Sequence, residues 1–218
     1  TITNSKLTLP SLNYIEDFTK FEPNICDKET LEPDFIYTLT YIESIKNNKK
    51  INKSILSKLS SLKQNCINPV VDITNYLMLE QGQPLHAFDA DLLDSIVGRK
   101  VIPNDFGIRP GRHGESFEAL DKKNYKLNPN ISLITCDDIP IAIAGVIGGN
   151  NCSVTNKTSR IWLEAAVFSP TSIRKSCREI GFRTDASSRY EKGISPNMTI
   201  AVSKRASEII SLELGGIV

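Results

Sequence analysis

The apolar residues divide the chain into a polar opening, a β-rich middle and amphipathic stretches toward both ends. Residues 1–34 are polar, are interrupted by Pro10, Pro23 and Pro33, and read as an irregular lead-in. From Phe35 to Ile45 the run Phe-Ile-Tyr-Thr-Leu-Thr-Tyr-Ile-Glu-Ser-Ile is aromatic and β-branched with rough alternation, which predicts a strand. A polar turn over Asn47–Lys50 follows. Asn52 then caps a helix from Lys53 to about Gln64, with Ile55, Leu56, Leu59 and Leu62 on one face. Val70 to Glu80 repeats its apolar residues at a helical period and predicts a second helix beginning just after Pro69.

Short strands are expected near 99–103, 106–110, 117–120, 131–136 and 139–146. Pro110-Gly111, Asn128-Pro129-Asn130 and Asp137-Asp138 mark turns between them. Arg160 to Ala165 is a further strand. Ser169-Pro170-Thr171 opens a helix to about Glu179, with serine as the cap and proline in the first turn. After the polar segment 183–196, Asn197 starts a final helix that buries Ile200, Val202, Ala206, Ile209, Ile210 and Leu214 and stops at Gly215. Short strands flanked by helices make an α+β domain, and no internal repeat or low-complexity tract is evident.

Composition adds exclusions. The 218 residues are 40% hydrophobic and 23% charged, an ordinary globular balance that argues against wholesale disorder. No apolar run approaches the roughly 20 residues needed to span a bilayer, and no secretory leader opens the chain. The chain starts at Thr1 and ends at Val218, which reads as a domain cut from a larger protein. Five widely spaced cysteines without a C-x-x-C argue against a disulfide framework or a zinc site and for a reducing, cytoplasmic setting. A formal charge of +1 leaves no global basic footprint, so any nucleic acid is held by a local patch or by another domain.

Candidate chemistry is sparse. His86 sits in Gln81-Gly82-Gln83-Pro84-Leu85-His86-Ala87-Phe88-Asp89, a Gly- and Pro-bearing loop suited to presenting an imidazole to a cavity. A histidine that merely ties the loop down is the plainer alternative, since no nucleophile neighbours it. His113 reads as an exposed turn residue. Ala144-Gly145-Val146-Ile147-Gly148-Gly149-Asn150-Asn151 lacks the Gly-Lys-Ser/Thr ending of a phosphate loop, so nucleotide binding is not expected there. Its paired glycines make either a tight turn or a place where backbone approaches a ligand. Glu164 lies inside Ile161-Trp162-Leu163-Glu164-Ala165-Ala166-Val167-Phe168. On a half-buried strand it faces solvent, or it faces inward and needs a partner such as a ligand hydroxyl. Arg183-Thr184-Asp185-Ala186-Ser187-Ser188-Arg189-Tyr190-Glu191-Lys192-Gly193 mixes charge, hydroxyls and small residues, and by itself reads as a solvated helix entry held by Arg–Asp and Arg–Glu pairs.

Taken in order, the blocks resemble one family. They are Asn68-Pro69-Val70-Val71-Asp72-Ile73-Thr74-Asn75-Tyr76, Gly82 to Asp89, Ala144 to Gly149, Leu163-Glu164-Ala165 and Arg183 to Gly193. Together, across residues 35–216, they resemble the B3/B4 editing domain of the bacterial-type phenylalanyl-tRNA synthetase β subunit. The resemblance implies a β-rich, barrel- or sandwich-like core with helices packed on one side, over residues 35–218. It implies hydrolysis of mischarged Tyr-tRNA(Phe), with His86, near the scissile ester, and Thr184 as the catalytic residues. Thr74 and Asn75 would hold substrate or water, Gly148 and Ala186 would form walls, and Glu164 would receive the tyrosine hydroxyl. Implied partners are the tRNA(Phe) acceptor end and an α subunit in an α2β2 assembly. No cofactor is implied in this domain; ATP and Mg would serve the full-length enzyme elsewhere. Two departures stand out. Lys63-Gln64-Asn65 replaces a usual Gly-x-Arg, and Asp121-Lys122 replaces a usual Asp-Gly. A non-hydrolytic tRNA-positioning module and a free-standing trans-editing protein are the rival readings.

Overall fold

A computed structural model describes residues 24–25 and 36–218. The expected lead-in over 1–34 therefore lies outside the described residues, apart from a two-residue strand, β1 (Asn24–Ile25). The other strands are β2 (Tyr37–Ile42), β3 (Leu85–Asp89), β4 (Phe106–Pro110), β5 (Ser116–Glu118), β6 (Asn124–Lys126), β7 (Ser132–Cys136), β8 (Ile139–Ile143), β9 (Ile147–Gly148) and β10 (Ile161–Ala166). The helices are α1 (Lys53–Ser61), α2 (Pro69–Gln81), α3 (Ala90–Val97), α4 (Pro170–Ile180), α5 (Asp185–Tyr190) and α6 (Pro196–Leu214).

Two open sheets carry the fold, β1-β4-β7-β8-β9 and β2-β10-β3, with β5-β6 as a separate hairpin. Within the first, β1 pairs parallel with β4 and the remaining pairs are antiparallel. The arrangement is α+β and sandwich-like; among the described residues neither sheet closes into a barrel. β10 is the middle strand of its sheet and is buried at all six positions because both of its faces are covered. One face carries Trp162 and Ala166, joined by Tyr37, Leu39 and Phe88, and packs into a core shared with Phe106, Ile108, Leu133 and Ile141 of the five-stranded sheet. The other face carries Ile161 and Leu163 and packs under α1, α2 and α6 through Leu59, Ile73, Leu77, Val202, Ala206 and Ile210. A helical layer on one side is thus present, while α3, α4 and α5 pack elsewhere around the first core.

Local signals explain most element ends. The Asn52 and Asn68 side chains accept from Ser54 N and Val71 N, and Pro69 sits in the first turn of α2. Gly82, Gly181 and Gly215 end their helices in the left-handed conformation. Asp137 and Asp138 both have positive φ, which a two-residue β7–β8 hairpin requires. Arg109 steadies that turn through bonds to Asp138 Oδ1 and to the Asp138 carbonyl.

Some sequence expectations fail for identifiable reasons. Residues 99–103 are not a strand. Val101 is tied by its N–H to Asp94 and a 3-10 turn begins at Pro103, so the segment makes no ladder bonds. α3, capped by Asp89, was hidden behind the Gly/Pro loop signal. Ser169 precedes α4 but makes no side-chain cap bond. Among the described residues no helix is long and apolar enough to cross a membrane.

Candidate functional site

A cavity of about 510 Å³ opens between the two sheets and the adjoining helices α2 and α5. Thr74 and Asn75 of α2, His86 of β3, Gly148 of β9, Glu164 of β10, and Thr184 and Ala186 at α5 all line it. The seven residues picked out from sequence, spread over more than a hundred positions, therefore share one space. His113 is exposed in a turn away from it.

Strand pairing is what joins the two most chemical groups. Glu164 and His86 are direct register partners on β10 and β3, so their side chains leave the same face. His86 thus stands on a strand and not in a loop, which fixes it more firmly than the Gly/Pro signal implied. Its ring meets Phe88 edge-on at 4.6 Å between centroids. Its other neighbour is the backbone of Gly148, where a β-carbon would lie 2.5 Å from His86 Cε1 and 2.6 Å from Nε2. Gly148 is a glycine because the imidazole occupies the space of its missing side chain. Neither ring nitrogen has a hydrogen-bond partner among the described residues, and burial pulls the imidazole down to about 4. At neutral pH it is uncharged, with one N–H donor and one acceptor nitrogen turned to the cavity.

Glu164 is only 4% exposed, which settles its direction as inward. Its Oε2 accepts the Tyr37 hydroxyl at 2.8 Å, while Oε1 has no partner among the described residues. Burial pushes the carboxyl up to about 7, with the Tyr37 bond pulling the other way. Tyr190, also on the cavity wall, directs its hydroxyl at the Pro84 carbonyl at 3.4 Å.

The hydroxyls are more committed. Thr184 is the N-cap of α5: its Oγ1 accepts from Ser187 N and donates to the Val146 carbonyl at 2.9 Å. Thr74 donates to the Val71 carbonyl at 2.8 Å within its own helix. The Asn75 amide has no partner among the described residues and is free to hold a ligand or water. At the rim, Gln64 reaches Asp185 across 3.3 Å, and Ile67 and Leu120 are exposed. Sequence reasoning missed Tyr37 and Gln64, because neither belongs to a block whose residues suggest chemistry.

A concave, mainly apolar chamber with a few converging polar groups has the form of a ligand-binding site. The comparisons make the class specific. The family model described as B3/4 domain matches residues 35–215, and the chain belongs to that family. It is 80% identical over 216 residues to the phenylalanine–tRNA ligase beta subunit of Prochlorococcus marinus (strain NATL2A), covering 99% of this chain and 26% of that protein. It is 42% identical over 214 residues to the protein of the same name from Prochlorococcus marinus (strain MIT 9313), covering 98% and 26%. The chain spans about a quarter of the length of these curated relatives. Among solved structures, an N-terminal fragment of the phenylalanyl-tRNA synthetase beta-subunit from Pyrococcus horikoshii aligns with TM-score 0.42 and 13% identity, over 79% of this chain and 52% of that one.

Proposed function

We propose that this chain is the editing module of a phenylalanine–tRNA ligase β subunit and hydrolyses mischarged Tyr-tRNA(Phe). The observation that carries the reading is the gathering of His86, Asn75 and Glu164 around one cavity, with an unpartnered carboxylate oxygen facing its interior. The names of its relatives support it.

A pocket shaped for phenylalanine cannot strongly reject an isostere that adds one hydroxyl, and about 100-fold is typical. A second site inverts the test by demanding the hydroxyl. Here the tyrosine phenol donates to Glu164, a charge-assisted bond worth about 1.5–3 kcal/mol, or roughly 10- to 150-fold. Phenylalanine in the same place leaves the carboxylate without that partner.

The reaction is ester hydrolysis. Water oxygen attacks the aminoacyl carbonyl, the bond to the ribose oxygen breaks, and that oxygen leaves with a proton, giving free tyrosine and tRNA. An imidazole held near 4 is a weak base at neutral pH. His86 instead orients the water or polarises the ester by hydrogen bonding, and Asn75 assists. Thr184 holds the wall of the site through its cap bonds. The tRNA acceptor end enters past Ile67 and Leu120, an α subunit completes the enzyme, and ATP and Mg act in other domains.

The test compares deacylation of Tyr-tRNA(Phe) with phenylalanine charging in the full-length enzyme. His86→Ala should slow deacylation about 100-fold or less, since water and ribose partly substitute, and leave charging nearly intact. Equal loss of both activities would make His86 structural. A parent enzyme that does not deacylate Tyr-tRNA(Phe) would establish the rival reading, a non-hydrolytic positioning module.

A further inference from the structure

The geometry points to Tyr37 as the positioning residue that makes Glu164 a one-sided acceptor, so the protein's own phenol holds one carboxylate oxygen and the other is left for a ligand phenol. The inference rests on the editing reading above and deepens it by naming a residue that sets its specificity.

Tyr37 and Glu164 are diagonal neighbours on one face of the β2–β10 pair: Ala166 is the partner of Tyr37 and Leu39 the partner of Glu164. The tyrosine is 1% exposed, and its ring is fixed within the core shared by the two sheets. Its 2.8 Å bond ends on Oε2. A carboxylate on a free glutamate stem turns about its last torsion, whereas this one is clamped and shows Oε1 to the cavity. Tyr37 does not line the cavity, so it reaches a ligand there through Glu164. Its donated bond also favours the ionised carboxylate, the form that accepts from phenol on both oxygens.

The groups around Glu164 are Tyr37 from β2, His86 from β3 and Tyr190 from α5, with Cys136 of β7 acting on Tyr37. Burial keeps both phenols and the thiol protonated and the imidazole uncharged through neutral pH. Glu164 is accordingly the member of this set that changes charge near pH 7.

The experiment measures the ratio of Tyr-tRNA(Phe) to Phe-tRNA(Phe) deacylation rates from pH 5.5 to 9 in the full-length enzyme. The parent ratio should rise with pH through a midpoint near 7, as the acceptor ionises. Tyr37→Phe keeps the ring but loses the donor; it should lower the ratio about threefold to tenfold and move the midpoint up by about one pH unit. Fluorotyrosine at position 37, a stronger donor of nearly the same shape, should move the midpoint down. Opposite shifts from two near-isosteric changes are not produced by a purely structural role. Should Tyr37→Phe fold poorly, the fluorotyrosine arm still decides. A parent ratio well above one whose midpoint neither change moves overturns the role of Tyr37 and leaves the editing reading standing. A parent ratio near one at every pH overturns both.

Discussion

Replacing Glu164 with Gln should stabilise the protein at alkaline pH while weakening its preference for phenol, because the amide oxygen still accepts but carries no charge. Burial holds the carboxyl at about 7 against an ordinary 4.5. Between those values the folded chain keeps a proton that the unfolded chain has released. Glu164 therefore favours folding most below pH 4.5, and that contribution is lost as pH rises through 7. The pKa difference corresponds to about 3 kcal/mol. His86 works with the opposite sign. Burial pulls it from 6.5 to about 4, so its contribution is present above pH 6.5 and lost as pH falls toward 4. Its ring is partly open to the cavity, and screening makes its share the smaller one. In the parent the two slopes oppose each other over pH 4.5–6.5. Glu164→Gln should unmask the histidine slope and gain a margin over the parent that grows from pH 4.5 to a plateau above 7, up to about 3 kcal/mol. Urea unfolding followed through Trp162, the one tryptophan of the chain, measures this at each pH. Parallel stability curves for parent and variant between pH 5 and 8 would refute the claim that burial keeps this carboxyl protonated.

Three other outcomes are expected. Gly148→Ala places a methyl where the His86 ring lies, so deacylation should fall about as far as in His86→Ala, with a stability loss of about 1–3 kcal/mol in urea unfolding. Lys63 and Lys122 both have positive φ (56° and 62°), the left-handed region that favours glycine. Lys63→Gly and Lys122→Gly should each raise stability by about 0.5–1 kcal/mol, the relief of left-handed strain less the entropy of glycine; lower denaturation midpoints would show that the lysine side chains contribute more than the strain costs. Asn65 is exposed next to Gln64 on the cavity rim, so Asn65→Arg should tighten acceptor-end binding with a gain that shrinks as salt rises. A salt-independent gain in a filter-binding titration would exclude a phosphate contact.

The sequence determined whatever depends on neighbours along the chain. Asn68 followed by Pro69 gives a helix start because the amide caps and proline lacks the N–H that would go unpaired. Asp137-Asp138 gives a two-residue turn, and Gly215 stops α6 at the position where only a left-handed residue fits. The blocks that resemble the B3/B4 domain also named the seven residues now found around one cavity. The direction of Glu164 was undecidable, since alternation along one strand cannot say whether one face or both are covered. That answer belongs to β10 as the middle strand, with a sheet packed on one face and α1, α2 and α6 on the other. His86 likewise read as a loop residue because Gly82 and Pro84 outweigh the short Leu-His-Ala-Phe-Asp run, and only its ladder with β10 makes it a strand. The partnership of Tyr37 with Glu164 spans 127 positions and carries no local signal, because a hydrogen bond between distant strands exists only once the register is set.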